Sequence, residues 1–174
     1  MNCYRIKQFI RALTAQVSAE ELEQVMQVAG PTAYELFCSM AVHDRRHSLN
    51  VYATLHRNGW NHPDLLMAAL LHDTGKSVAP LPAWQRALIV LLSRFMPCLM
   101  NRLGQGRVEG WRRGFVAYVR HAELGACLAQ QAGCSPLTVS LIRRHHENGR
   151  VGIYDSSADE DRLLAALQAA DSIN

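Results

Sequence analysis

The sequence predicts an all-α fold, a single-domain helical bundle of seven or eight helices. Three observations predict it. Apolar residues recur at helical spacing along the chain, and no stretch shows the alternation of a half-buried strand. Start signals repeat: Ser18 with Glu21, Thr32 with Glu35 and Ser157 with Glu160 each pair a capping hydroxyl with an acidic residue three positions on. The 174 residues are 49% apolar and 19% charged, enough to fill the core of one domain and too apolar for intrinsic disorder.

Taken in order, Tyr4, Ile6, Phe9, Ile10 and Leu13 suggest a first amphipathic helix. A second begins at Ser18 and ends at Gly30-Pro31, and a third runs from Thr32 to Asn58 with Gly59 as its left-handed stop. Pro63 opens a short apolar helix that reaches His72 and ends in Asp73-Thr74-Gly75-Lys76. Pro80 and Pro82 break the chain before a helix over residues 83–101, and Gly104, Gly106 and Gly110 form a loop. Residues 111–131 are helical up to Gly133. Ser135-Pro136 opens a helix to His146 that Asn148-Gly149 stops, and Ser157 caps the last one, which runs to about Ile173. Residues 1–29 read as an N-terminal helical extension to a domain over residues 30–174.

Charge and cysteine usage exclude several function classes. The net charge of +3, from 18 basic and 15 acidic residues, is too mild for a dedicated nucleic-acid binder, and no nucleic-acid partner is expected. All the basic residues except Lys7 and Lys76 are arginines, which suit bidentate contact with phosphate or carboxylate. The five cysteines are odd in number and contain no Cys-x-x-Cys pair, which fits reduced thiols and a cytoplasmic location. The N-terminus lacks the apolar run of a signal peptide. The most apolar stretch, residues 87–100, is interrupted by Arg94 and Pro97 and is shorter than the roughly 20 residues that a spanning helix needs, so no transmembrane segment is expected.

The chemistry lies in the histidines. Five of the eight are expected at helix ends, namely His47, His72 beside Asp73, His121, and His145 beside His146, with Asp171 near the C-terminus. Met67-Ala68-Ala69-Leu70-Leu71 leads straight into His72-Asp73, where a carboxylate and an imidazole are costly unless paired or bound to a cation. Imidazoles and carboxylates without thiolate suit a first-row divalent ion such as Fe, Mn, Co or Zn. Neighbours in a helix point about 100° apart, so His72 and Asp73 converge only where the helix unwinds. Gly75 is the expected cause of that unwinding, and Asn148-Gly149 does the same for His145-His146. A carboxylate offers one oxygen to each of two ions, and Asp73 is placed to bridge.

His47-Ser48-Leu49-Asn50-Val51, then Leu70-Leu71-His72-Asp73-Thr74-Gly75-Lys76, then Leu167-Gln168-Ala169-Ala170-Asp171 resembles the HD-domain superfamily of metal-dependent phosphohydrolases, over roughly residues 30–174. His121-Ala122-Glu123 and His145-His146-Glu147 are similar to the extra ligands of its binuclear members, which include the HD-GYP cyclic-di-GMP phosphodiesterases and the HD-type diadenosine tetraphosphate hydrolases. The residues after Glu147 carry no Gly-Tyr-Pro triplet, which counts against cyclic-di-GMP as substrate. The resemblance implies a bundle of the HD-domain type with one or two divalent ions per chain. One ion would be held by His47, His72, Asp73 and Asp171. A second would share Asp73 and add His121, His145 and His146. His43, four residues before His47, reads as a second layer or core histidine, and His56 and His62 as surface residues.

Two ions bridged by Asp73 would sit about 3.5–4 Å apart, clamp an in-line displacement at phosphorus and yield hydroxide near neutral pH. Lys76 is the expected partner of a phosphoryl oxygen, with a structural ion pair as its alternative. Residues 77–120 carry seven arginines against Glu109 alone, and within them Arg112 and Arg113 are candidate substrate contacts. Trp84 and Trp111 read as core aromatics or as stacking partners for a base. The apolar helix at 87–96 reads first as core cover, with a homodimer face or a membrane-surface contact as alternatives. The expected activity is hydrolysis of a phosphate ester or anhydride of a nucleotide-like small molecule. The alternatives are a mixed-valent di-iron oxygenase of the same fold and a non-catalytic nucleotide-sensing module.

Overall fold

A computed structural model describes residues 16–79, 81, 83–147 and 157–174. The expected helix at 4–13, the Pro80 and Pro82 break and the Asn148-Gly149 stop lie outside the described residues. Those residues form eight α-helices and no strand: α1 (Ala19–Cys38), α2 (Val42–Arg57), α3 (Pro63–Leu71), α4 (Ala83–Phe95), α5 (Pro97–Leu103), α6 (Arg113–Gln131), α7 (Pro136–Arg144) and α8 (Ala158–Ile173). Short 3₁₀ turns at Thr74–Val78 and Gly110–Arg112 precede α4 and α6. The expected all-α bundle is the observed one.

Most boundaries follow from local chemistry. Ser18 and Glu21 form the reciprocal capping box at the start of α1. Pro63 and Pro136 occupy first-turn positions of α3 and α7, where a missing N–H costs nothing. Gly59 and Gly133 take left-handed φ values of 82° and 81° after α2 and α6. Two boundaries differ from expectation. The helix expected over 32–58 breaks at Ser39–Ala41, where the Ser39 hydroxyl donates to the Leu36 carbonyl and Ala41 is extended, while Gly30-Pro31 only kinks α1. The helix expected over 83–101 breaks at Met96, because Pro97 disfavours helical backbone in the residue before it; Met96 has φ −135° and ψ 58°.

The core is organised around α3. Leu65, Ala68, Ala69, Leu70 and Leu71 are all buried, the pattern of a helix surrounded on every side. Phe37 of α1, Val51 and Leu55 of α2, Leu141 and Ile142 of α7 and Leu167 of α8 close around it. The Asp64 carboxylate accepts hydrogen bonds from the Ser135 and Thr138 hydroxyls, so α3 and α7 start side by side. Both helices are nine residues long and end side by side, at His72 and His145. Arg144, almost fully buried, binds Glu147 at 3.0 Å, Glu160 at 2.8 Å and Asp161 at 2.9 Å, fastening the end of α7 to the start of α8.

The Thr74–Val78 turn lies directly on α6, and Gly75 is the reason it fits. A Cβ at Gly75 would overlap the His121 carbonyl oxygen and lie 2.7 Å from the Gly125 nitrogen. Its φ is not left-handed. The unwinding expected from Gly75 is therefore made elsewhere, at Asp73 (φ −96°, ψ 1°), and Gly75 supplies space instead. Because the obstructing atoms are backbone, Gly75→Ala is expected to destabilise by about 3 kcal/mol, the upper end of the usual cost of overpacking. A thermal melt indistinguishable from the parent's would contradict the packing described.

Candidate metal centre

Five segments deliver the candidate ligands to one place. His72 and Asp73 follow α3, His145 and His146 follow α7, and Asp171 lies in the last turn of α8. His47 and His121 were expected at helix ends but lie inside α2 and α6, whose inward faces carry them to the centre. His47 Nε2 is 2.8 Å from Asp171 Oδ1, 3.3 Å from His72 Nε2 and 4.0 Å from Asp73 Oδ2. His146 Nε2 is 2.9 Å from His121 Nε2, and the His145 ring lies 5.3 Å from that of His121. Two donor groups compact enough to hold a cation result, one of His47, His72 and Asp73, the other of His121, His145 and His146. Asp73 stands between them: Oδ2 is 3.6 Å from His72 Nε2, and Oδ1 is 3.7 Å from His121 Nε2.

The backbone sets which nitrogen faces inward. His72, His121 and His145 donate Nδ1–H to the carbonyls three residues back, of Ala69 (3.0 Å), Tyr118 (2.7 Å) and Ile142 (2.6 Å). A carbonyl only accepts, so the proton is on Nδ1 and the Nε2 lone pair points to the centre. His145 Nε2 is buried there without a hydrogen-bond partner. An orphaned buried lone pair, surrounded by imidazoles and a carboxylate without thiolate, fits a first-row divalent cation.

The electrostatics favour ligands already stripped of protons. Burial, reinforced by the neighbouring His72 and His146, lowers His145 to about 3, and burial lowers His121 to about 4 against the pull of Asp73. His146 is lowered as well, chiefly by burial. For Asp171, burial pushes upward, but the hydrogen bond from His47 and the charge of His72 outweigh it and bring the group down to about 2. Burial likewise opposes ionisation of Asp73, yet Lys76, His72 and His121 together hold it well below the usual carboxylate range. His47 moves the other way: burial lowers it, and Asp171 and Asp73 more than restore it.

Lys76 is ion-paired rather than free-standing. Its Nζ is 2.6 Å from Asp73 Oδ2 and 4.0 Å from Asp44 Oδ1. His43 Nε2 in turn lies 3.3 Å from Asp44 Oδ1, so His43 is a neighbour of Lys76's partner and belongs to neither donor group. Lys76, Asp44 and His43 wall a cleft of about 300 Å³ that is closed by Ser39, Ser77 and Tyr118 and by apolar residues of α4 and α6. Asp44 had no signal in the sequence beyond its place between His43 and His47. Neither Arg112 nor Arg113 lines the cleft: Arg112 donates to the Gln105 carbonyl, and Arg113 is exposed. Trp111 is exposed rather than core, resting edge-on against Phe115. The side chain of Trp84 lies outside the described residues, and His56 and His62 are on the surface as expected.

The HD-domain family model matches residues 45–173, from the start of the His47 segment to the turn carrying Asp171. The chain belongs to the HD-domain superfamily. Its members are mostly metal-dependent hydrolases, and the matched span contains both donor groups compact enough to hold a cation. No curated protein and no solved structure shows significant similarity to the chain. Among the described residues, no helix is long and apolar enough to cross a membrane.

The lowered histidines fix an acid limit. Unfolded, His121 and His145 titrate near 6.5. Folded, they titrate at about 4 and about 3, so the unfolded chain binds more protons between those values. Their contribution to stability is complete above about pH 6.5 and is lost as pH falls towards 4 and below. The raised His47 acts oppositely, favouring the fold in acid, but it is one group against three, since His146 is lowered too. The melting temperature of chelator-treated protein is expected to drop steadily between about pH 7 and pH 5. His145→Gln should flatten that slope; an equally steep slope in the variant would refute the assignment.

Proposed function

We propose that this chain is a phosphohydrolase that cleaves a phosphate ester or anhydride of a nucleotide-like substrate at a two-cation centre. The observation that carries this reading is the aim of Asp73, whose two oxygens face two separate histidine groups across one carboxylate. His47, His72, Asp73 and Asp171 would hold one cation, and Asp73, His121, His145 and His146 the second. Bound divalent cations supply an activated water and offset the charge of the reacting phosphoryl group.

The chain's own residues do the rest. Main-chain carbonyls hold the Nδ1 protons of three histidines, which keeps their Nε2 atoms aimed at the centre. Burial lowers the pKa of Lys76, but Asp73 and Asp44 raise it more, so it stays a cation and serves as a charge partner rather than a base. From its position on the cleft wall, Lys76 can meet a phosphoryl oxygen while still orienting Asp73. The cleft offers the Tyr118 ring and the Asp44 and Ser77 side chains to a base and sugar, which supports a nucleotide-like substrate.

Elemental analysis of purified protein, followed by a screen of nucleoside monophosphates, dinucleoside polyphosphates and cyclic dinucleotides under several divalent ions, tests this reading. Asp73→Ala is expected to lose both ions and all turnover, whereas His145→Ala should keep about one ion per chain by the ligand count. Lys76→Ala should keep the metal and lose roughly 10²–10³-fold in kcat, the usual cost of removing one charge-stabilising group. Full metal content in Asp73→Ala would overturn the bridging role, and a dioxygen requirement for turnover would replace the hydrolase with the di-iron oxygenase.

A further inference from the structure

A helix on the surface of a small domain ordinarily turns its apolar stripe inward. In α4 the stripe points out. Ile89 is buried, but Leu88, Leu91 and Phe95, spaced three and four apart on one face, are exposed, Leu91 at 55% and Phe95 at 72%. The surface continues into α5 through Met96, at 50%, and Leu99. The expectation that this segment covers the core therefore holds for Ile89, in part for the half-buried Leu92, and fails for Leu88, Leu91, Phe95 and Met96. Trp111, 75% exposed, rests edge-on against Phe115, and Phe115 shares a face of α6 with Tyr118, whose hydroxyl lies 3.5 Å from Ser93 of α4.

The same region concentrates positive charge. Residues 77–120 hold seven arginines and one acidic residue, Glu109. Arg94, Arg102, Arg107 and Arg113 are exposed, Arg107 is paired with Glu109, and the Arg94 guanidinium stands 6.0 Å from the centre of the Phe95 ring. This combination selects the occupant. A two-fold pairing with a second copy would bring arginines against arginines. A lipid surface meets both demands at once: the apolar stripe enters the acyl boundary, arginines reach back to phosphates, and tryptophan is at home at the interface. At 13 residues α4 is about 20 Å long, too short to span and suited to lying flat.

We propose that the α4–α5 face docks this protein, in the plane of the bilayer, on a membrane surface rich in anionic phospholipid. Docking there does not depend on the hydrolase reading, because the binding measurement needs neither metal nor substrate.

Flotation of the full chain with vesicles tests it, using phosphatidylcholine alone and phosphatidylcholine mixed equally with phosphatidylglycerol. Binding to the anionic vesicles alone, weakened by added salt, is expected. Arg94→Gln and Arg102→Gln should each weaken it by about fivefold. Phe95→Glu combined with Leu91→Glu should abolish it, while Val28→Glu on the exposed side of α1 should leave it unchanged. Circular dichroism of each variant separates lost docking from lost fold. Failure to float with anionic vesicles, or equal binding to both compositions, would overturn the proposal. So would a homodimer in sedimentation equilibrium that Phe95→Glu converts to monomer, since the face would then belong to a second copy.

Discussion

The carboxylate of Asp73 is almost wholly withdrawn from solvent, and an ionised group in that position needs compensating charge on more than one side. The surrounding structure provides it. Lys76 approaches one oxygen directly, and the histidine groups that flank the two oxygens come from α2, the end of α3, α6 and the end of α7. Each of those segments must end, turn or pass at a fixed height for the carboxylate to be satisfied. The short helices, the 3₁₀ turn and the glycine contact against α6 are all consequences of that requirement.

The scaffold meets it with a few simple devices. Two equal helices, joined at their starts through Asp64 and each opened by a first-turn proline, arrive together at His72 and His145. The Arg144 cluster fixes α8 relative to the end of α7, and Gln168 of α8 donates to the Glu147 carbonyl just beyond His146. Asn174 closes the far side by donating to Thr54 of α2. Asp171 thus reaches His47 from a helix held at both ends.

Much of this was legible in the amino-acid sequence where the cause is local. The capping box at Ser18 and Glu21, the prolines at 63 and 136 and the glycine at 59 act on their own neighbours, and the structure has boundaries at each. The ordered His47, His72-Asp73 and Asp171 series was legible as a family pattern. What escaped depends on tertiary placement. Periodicity groups Leu88, Leu91 and Phe95 on one face but carries no information about which way that face turns. In the sequence Gly75 suggests backbone freedom, but glycine supports two roles, and only the approach of the His121 carbonyl distinguishes them. The pairing of Lys76 with Asp44 joins residues on different segments that no spacing rule connects.

The three inward-facing rings are steadied by main-chain oxygens rather than by carboxylate side chains. Every residue type, proline included, carries such an oxygen, so replacing Ala69, Tyr118 or Ile142 leaves the acceptor in place so long as the local helix survives. The orientation of these rings is thereby insulated from mutational drift in the layer immediately behind them, and the vulnerable points are instead those that bend or unwind the helices themselves.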